Sequence, residues 1–331
     1  MKENELRPKK IFEEYLRLSI EDSKIYFDSK KRTDIPCPGC GSSDSKFEFN
    51  KNKFDYASCN KCKTLYQTPR PPIDSFTSFY NNSISSKYWA EVFFPSVVES
   101  RREHIFKPRV SRIIELCDKK KYYPSTIIDV GAGHGIFLEE WVRKFPNTRA
   151  VAIEPSSHHA EICRSKKLEV IEDIAENIND CSFVADLVVC FEVLEHVYDP
   201  FSFIKTLSNF VKPGGYIVLS TLGVDGFDIQ VLWDKSNSVS PPHHINFLSV
   251  NGFYNLFTRV GLTNIEVMTP GILDVDIVRN AYLKDSSSLN GNRFIKSLLK
   301  NESLGNKFQE FLIENNLSSH TWVIAQTPSK V

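Results

Sequence analysis

Apolar residues along this chain follow two periodicities in turn. Short apolar runs of strand length (126–130, 149–153, 168–171, 186–191 and 215–221) are separated by stretches in which apolar residues recur every three or four positions. Strand and helix alternating in this way predict a doubly wound parallel α/β sheet. After a helical segment at 249–261, Asn264 to Thr269 reads as a sixth strand and HTWVIAQ (320–326) as a seventh. Residues 272–318 between them carry helical patterns (IVRNAYL, FIKSLLKNESLGNKFQEFLIENN) and form an insertion expected to cap the active site. Upstream, 1–35 is charged and weakly amphipathic, one or two short helices with no catalytic signal. Residues 36–70 alternate aromatic and polar residues between two cysteine pairs, and TPRPP (Thr68 to Pro72) reads as a stiff linker closing that unit. Residues 71–122 predict helices leading into the core domain, 123–331; Tyr80, Tyr88 and Trp89 are lid candidates there, weighed against plain packing.

Composition narrows the partners. Lys+Arg and Asp+Glu are both 41 in 331 residues, so no overall field draws the chain to nucleic acid or anionic lipid, and a small-molecule acceptor is expected. No stretch approaches the ~18 apolar residues of a membrane span, and the first residues lack the apolar core of a signal peptide; a cytoplasmic, non-membrane protein is expected. Of eight cysteines, four stand in Cys-x-x-Cys pairs and four are scattered. Cys37, Cys40, Cys59 and Cys62 give C-x2-C-x18-C-x2-C, a zinc-ribbon spacing. Four thiolates close the coordination sphere, so this Zn2+ is structural.

The segment IIDVGAGHGIFL ends a strand at Asp129 and places Gly131, Gly133 and Gly135 at alternate positions before a helix. Such a turn lets a ligand lie against bare backbone at a helix N-terminus. Glu154 closes the second strand, where an acid can accept ribose hydroxyls. FEVLEHV (191–197), LVVCF before it, and KPGGYIVLST (212–221) follow in order. Together these resemble the S-adenosylmethionine site of class I methyltransferases. The resemblance implies S-adenosylmethionine as cofactor and places Phe191 beside it; Asp173 is a weaker candidate for the adenine amine. A zinc ribbon ahead of such a core, with PPHHINF and a late helical insertion, is similar to methyltransferases of bacterial sugar and surface-polysaccharide pathways. That similarity implies a sugar or sugar-nucleotide acceptor. The longer C-terminal domain of the deoxysugar C-methyltransferases is missing, which leaves O-, N- and C-methylation open.

Transfer to a hydroxyl needs a base. His243 and His244, on the proline-braced loop after the fifth strand, are the first choice. Glu192, Glu195 and His196 compete, their spacing placing all three on one face of a helical turn. The E-x-x-E-H set resembles the metal site of small-RNA 3′-end 2′-O-methyltransferases and of metal-assisted ubiquinone O-methyltransferases, so a second divalent metal at Glu192, Glu195 and His196, completed by His243 or His244, is the alternative. The same residues brace the substrate wall in many class I enzymes without metal, and the metal-independent reading is preferred. Cys190 reads as a buried packing residue. An RNA methyltransferase gripping its substrate through Lys46, Lys51, Lys53, Lys61, Lys63 and Arg70 of the ribbon is the rival function, against which the even charge and the lack of an Asn/Asp-Pro-Pro-Tyr motif weigh. A cofactor-binding scaffold without activity is a third reading.

Overall fold

The computed structural model describes residues 2–28, 30–178 and 184–329. Its strands, in chain order, are β1 (Ser45–Lys51), β2 (Phe54–Cys59), β3 (Leu65–Gln67), β4 (Thr126–Val130), β5 (Arg149–Ile153), β6 (Glu169–Ile171), β7 (Ala185–Phe191), β8 (Val211–Leu222), β9 (Asn246–Phe247), β10 (Thr263–Met268) and β11 (His320–Gln326). Seven form one sheet in the order β10-β11-β8-β7-β4-β5-β6. The five from β4 to β8 are parallel, and β11 runs antiparallel between β8 and β10. The parallel strands are the doubly wound sheet that the alternating pattern predicts, and the antiparallel β10–β11 pair is what the resemblance to class I methyltransferases implies. The strands carry apolar residues on both faces because both are covered. Val110, Ile113, Phe137 and Trp141 pack on one side; Phe203, Ile204, Leu207, Phe253 and Leu256 pack on the other. Each such side chain contributes roughly 1.5–3 kcal/mol on burial. Register brings Val130, Ile153 and Phe191 to one rim, where the glycine turn, Glu154 and Glu192 leave the sheet.

The cysteine unit is not held apart on a linker. Strands β1, β2 and β3 form an antiparallel sheet whose fourth strand, β9, comes from the core directly after the histidine pair. TPRPP, expected as a stiff spacer, is drawn into this junction. Arg70 is 1% exposed, donates to the carbonyls of Gln67 and Tyr198, and reaches Asn246 Oδ1 at 2.5 Å. Burying a guanidinium is tolerated only when such acceptors replace water. Arg259 ties the far side down through Gly39 O at 2.9 Å. The basic face of the ribbon shrinks accordingly. Arg70 is internal, Lys51 donates to Ser236 O, and Lys46 and Lys53 are paired with Glu48 and Asp28.

The insertion is helical as predicted (Asp274–Lys284, Arg293–Leu299 and Glu302–Glu314), but it does not cap the active site. Its apolar residues Val275, Val278, Leu298 and Leu312 bury against Leu232, on the helix Phe227–Leu232, and so face away from the cleft. What it holds is the N-terminus: Glu3 N–H donates to Asp276, Asn280 donates to Glu3, and Lys284 pairs with Glu13. No helix among the described residues is long and apolar enough to cross a membrane.

Candidate active site and cysteine cluster

The three glycines divide their duties. A Cβ on Gly131 would meet Val193 at 2.6 Å, and one on Gly135 would meet Leu168 at 2.7 Å, so these two permit close packing of the turn. Gly133, at φ +54°, has nothing within 4 Å of where a Cβ would stand; it faces open space in a cavity of about 680 Å³. That volume suits a cofactor-sized ligand. Gly133 N–H donates to Glu154 Oε2 at 2.7 Å and Ser156 N–H to Oε1 at 2.9 Å, so the acid braces the turn and keeps lone pairs free. Asp129 is buried beside it. Burial lifts its pKa to about 7, with Arg109 pulling the other way. Phe191 sits between Phe137 and Trp322 with the Arg109 guanidinium 4.7 Å from its ring centre. Asp129, Gly131, Gly133, Glu154 and Phe191 all line the cavity, whereas Gly135 caps the helix behind it. Asp173 does not line it: its Oδ1 accepts from Ile174 N–H and Asn177 Nδ2, the local turn that a short acid makes when no ligand claims it.

The expected helical turn at Glu192–His196 is absent. Glu192 adopts φ +57°, and the chain closes a tight turn in which Glu195 O accepts from Ile245 and Asn246 N–H. The reversal turns the two acids apart. Glu192 Oε1 takes Arg109 at 2.9 Å, Ser220 Oγ at 2.6 Å and His320 Nε2 at 3.0 Å. Burial alone would raise its pKa, but His320 and Arg109 outweigh it and hold the carboxyl well below the ordinary range. Glu195 accepts from Thr221 Oγ1, and burial, with the Glu192 charge nearby, lifts it to about 8. The set that converges is therefore Glu195, His196 and His244, whose ligand atoms lie within 4.8 Å of one another. Glu192 drops out of the expected metal group.

The adjacent histidines differ. His243 is 4% exposed, its ring edge-on to Phe79 and near Tyr15 and Tyr80, with Nε2 buried and unpartnered. His244 is half-buried and bonds Ser238 O through Nδ1 at 2.6 Å. A carbonyl only accepts, so Nδ1 carries the proton and Nε2 keeps its lone pair. Burial lowers His244 to about 4 and His196 to about 3, so both are neutral at pH 7. Tyr80 Oη lies 3.2 Å from His196 Nδ1.

Several lining residues had no motif to announce them. Arg7, Phe12, Tyr15 and Leu16 come from the N-terminal segment, read from sequence as carrying nothing catalytic; Phe94, Arg101, Phe106 and Arg109 come from the helices before β4. The available signal was the apolar stripe of Lys9–Phe27 and the arginines spaced along 101–112, which mark a packed face but not what it covers. Of the lid candidates, Tyr80 and Trp89 line the cavity and Tyr88 does not.

The four ribbon sulfurs lie within 4.8 Å of one another, with Cys37–Cys62 and Cys40–Cys59 Sγ separations of 3.4 Å. A tetrahedral ion with bonds of about 2.3 Å to sulfur fits such a cage. Cys117, Cys163 and Cys190 are free and buried, and Cys181 lies outside the described residues.

A family model described as a methyltransferase domain matches residues 99–267, just over half of the chain. The chain belongs to this methyltransferase-domain family. Curated relatives include the ubiquinone biosynthesis O-methyltransferase of Aliivibrio fischeri (strain MJ11), 33% identical over 29% of this chain and 43% of the relative. The protein of the same name from Proteus mirabilis (strain HI4320) is 30% identical over 45% of this chain and 59% of its own length. The chain thus spans about half the length of the curated relatives it matches. Among solved structures, the plantazolicin methyltransferase BpumL in complex with SAH aligns with a TM-score of 0.50 at 12% identity, over 76% of this chain and 94% of that one, a likeness of fold.

Proposed function

We propose that the protein transfers a methyl group from S-adenosylmethionine to a hydroxyl of a small polar acceptor, a sugar or sugar nucleotide of a surface-polysaccharide or secondary-metabolite pathway. The observation that carries this reading is a cavity lined both by the open Gly133 turn and by the Glu195, His196 and His244 group. When bound, the cofactor supplies an electrophilic methyl on a sulfonium. Gly131, Gly133 and Gly135 shape its cradle, Glu154 accepts its ribose hydroxyls, and Asp129 and Phe191 flank it. His244 Nε2 takes the acceptor's proton as the oxygen–carbon bond forms and the sulfur–carbon bond breaks. The neutral imidazoles add no positive charge against the sulfonium, and the cavity walls hold the hydroxyl in line. The relatives' names favour oxygen as acceptor atom. Zinc in the four-cysteine cage has a folding role only.

A second reading has its own support in the convergence of Glu195, His196 and His244: a divalent ion there would acidify the hydroxyl directly. Chelation separates the two.

Calorimetry with S-adenosylhomocysteine (SAH) tests the main reading. Micromolar binding is expected, weakened at least tenfold by Gly133→Val, which fills the cradle, and by Glu154→Ala, which removes the ribose acceptor. Binding of NADH in its place would overturn it.

A further inference from the structure

Two of the arginines that line the cavity have no ion-pair partner among the described residues. Arg109 has Glu192, and Arg102 is clamped by Glu139 and Glu140 at 2.9 and 2.5 Å. Arg101, beside Arg102 on Phe94–Arg101, forms no ion pair among the described residues, and neither does Arg7. Their guanidiniums lie over aromatic rings, Arg101 at 5.5 Å from Phe94 and Arg7 at 5.3 Å from Phe12, and both line the cavity. Arg101 Nε is fully buried with no acceptor. The four-residue helix Glu3–Leu6 packs against Phe94–Arg101, which brings the two arginines to the same wall.

The other charges at the cavity do not supply the missing partner. Glu192 is held through Oε1 by Arg109, Ser220 and His320; Glu195 accepts from Thr221 Oγ1; Glu154 is turned to Gly133 and Ser156; Glu91 lies 3.9 Å from Lys87. A buried guanidinium N–H without an acceptor, such as Arg101 Nε, is costly, because it has lost water and gained nothing. Burial, then Arg109 and Arg7, lower Arg101 to about 10, so it stays charged at pH 7 while its charge is disfavoured where it stands. An anion entering from the cavity side would relieve that cost.

We propose that Arg7 and Arg101 form an anion subsite that binds a phosphoryl group of the acceptor. The inference rests on the methyltransferase reading and deepens it: the acceptor is a phosphorylated molecule, a nucleoside diphosphate derivative or a sugar phosphate, anchored by its phosphate while its hydroxyl faces His244. Two guanidiniums match a group carrying two or more negative charges better than a single carboxylate, and their planar forks present paired donors to phosphoryl oxygens. The aromatic ring beneath each guanidinium limits its freedom through a cation–π contact.

The cofactor has a carboxylate of its own, so SAH affinity is the control. Calorimetry on the full chain with its zinc bound, saturated with SAH and with no divalent metal added, uses inorganic pyrophosphate and malonate as probes. Pyrophosphate is expected to bind, malonate at least tenfold more weakly. Arg101→Gln and Arg7→Gln should each weaken pyrophosphate at least tenfold and leave SAH affinity within twofold, which also reports an intact fold. Arg101→Lys should recover part of the loss. No pyrophosphate binding by the unaltered protein, or malonate binding as tightly, overturns the subsite. So does an equal loss of SAH and pyrophosphate affinity in Arg7→Gln, which would make the arginines part of the cofactor site. Failure of the unaltered protein to bind SAH overturns the methyltransferase reading itself.

Discussion

His243 and His244 are neighbours in sequence and opposites in circumstance. His244 has its Nδ1 proton committed to Ser238 O, which leaves Nε2 its lone pair, whereas His243, which also lines the cavity, is packed among Phe79, Tyr15 and Tyr80 with Nε2 buried. His244→Ala is therefore expected to lower turnover by ~10²–10⁴-fold with SAH affinity unchanged, and EDTA, at a concentration that leaves the ribbon's zinc content intact, to change nothing. His243→Ala should cost about 2 kcal/mol of stability through the void it leaves and lower turnover less than tenfold. Steady-state kinetics and urea unfolding read both. A chelator that abolishes turnover, restored by manganese, would instead assign Glu195, His196 and His244 to a metal. The PPHH spelling announces a histidine loop, but how tightly each ring is packed is decided by Tyr15 and Phe79, far upstream, and no local pattern carries that. Glu192 is the sharper case. Its spacing from Glu195 suggests one helical face, yet the residue takes a left-handed conformation costing about 1 kcal/mol, offset by Arg109, Ser220 and His320.

At the scale of elements, the parallel strands and the cysteine knuckles were legible because each rests on short-range pattern: apolar runs of strand length, and pairs of thiols at fixed spacing. What was not legible is how elements distant in sequence share a surface. Strand β9 belongs to the ribbon sheet by hydrogen bonding and to the core by chain connection, two residues after His244. The insertion, expected over the cleft, instead braces the N-terminal segment that does line it. The ribbon's integrity should therefore reach the active site. Cys59→Ser is expected to lose the bound zinc and lower the melting temperature by several degrees. Turnover should fall at least tenfold, although Cys59 touches nothing in the cavity, because Leu65–Phe247 pairing holds the histidine loop. Elemental analysis, calorimetry and an activity assay on one preparation test the three together; zinc loss with full turnover would show the ribbon to be uncoupled from the site.

Over the whole molecule, equal counts of acids and bases conceal an uneven interior. Asp129, Glu195 and Asp228 are buried carboxyls lifted to about 7, 8 and 8, each chiefly by desolvation. Asp228 stands where the core meets the insertion. Asp274 beside it accepts from Ser318, Ser319 and Gln309, while Asp228 Oδ1 has no partner, so the proton resides on Asp228. Stability follows from the difference between states. Below about pH 4 the carboxyl is protonated whether folded or unfolded and pH has no effect through it. Between about pH 4 and about pH 8 the unfolded chain ionises Asp228 and the native chain does not, so each unit of rising pH favours unfolding by up to about 1.4 kcal/mol. Above about pH 8 both states are ionised and the loss is complete. Asp228→Asn keeps the shape and cannot titrate. The variant should gain stability over the parent steadily from pH 5 to pH 8, and the four cysteines of the cluster, shared by both proteins, cancel from the difference. Urea unfolding of the pair at pH 5, 6, 7 and 8 gives the result directly: a difference that stays constant across the series would mean that Asp228 is already ionised in the folded protein and that the junction with the insertion holds a buried charge pair.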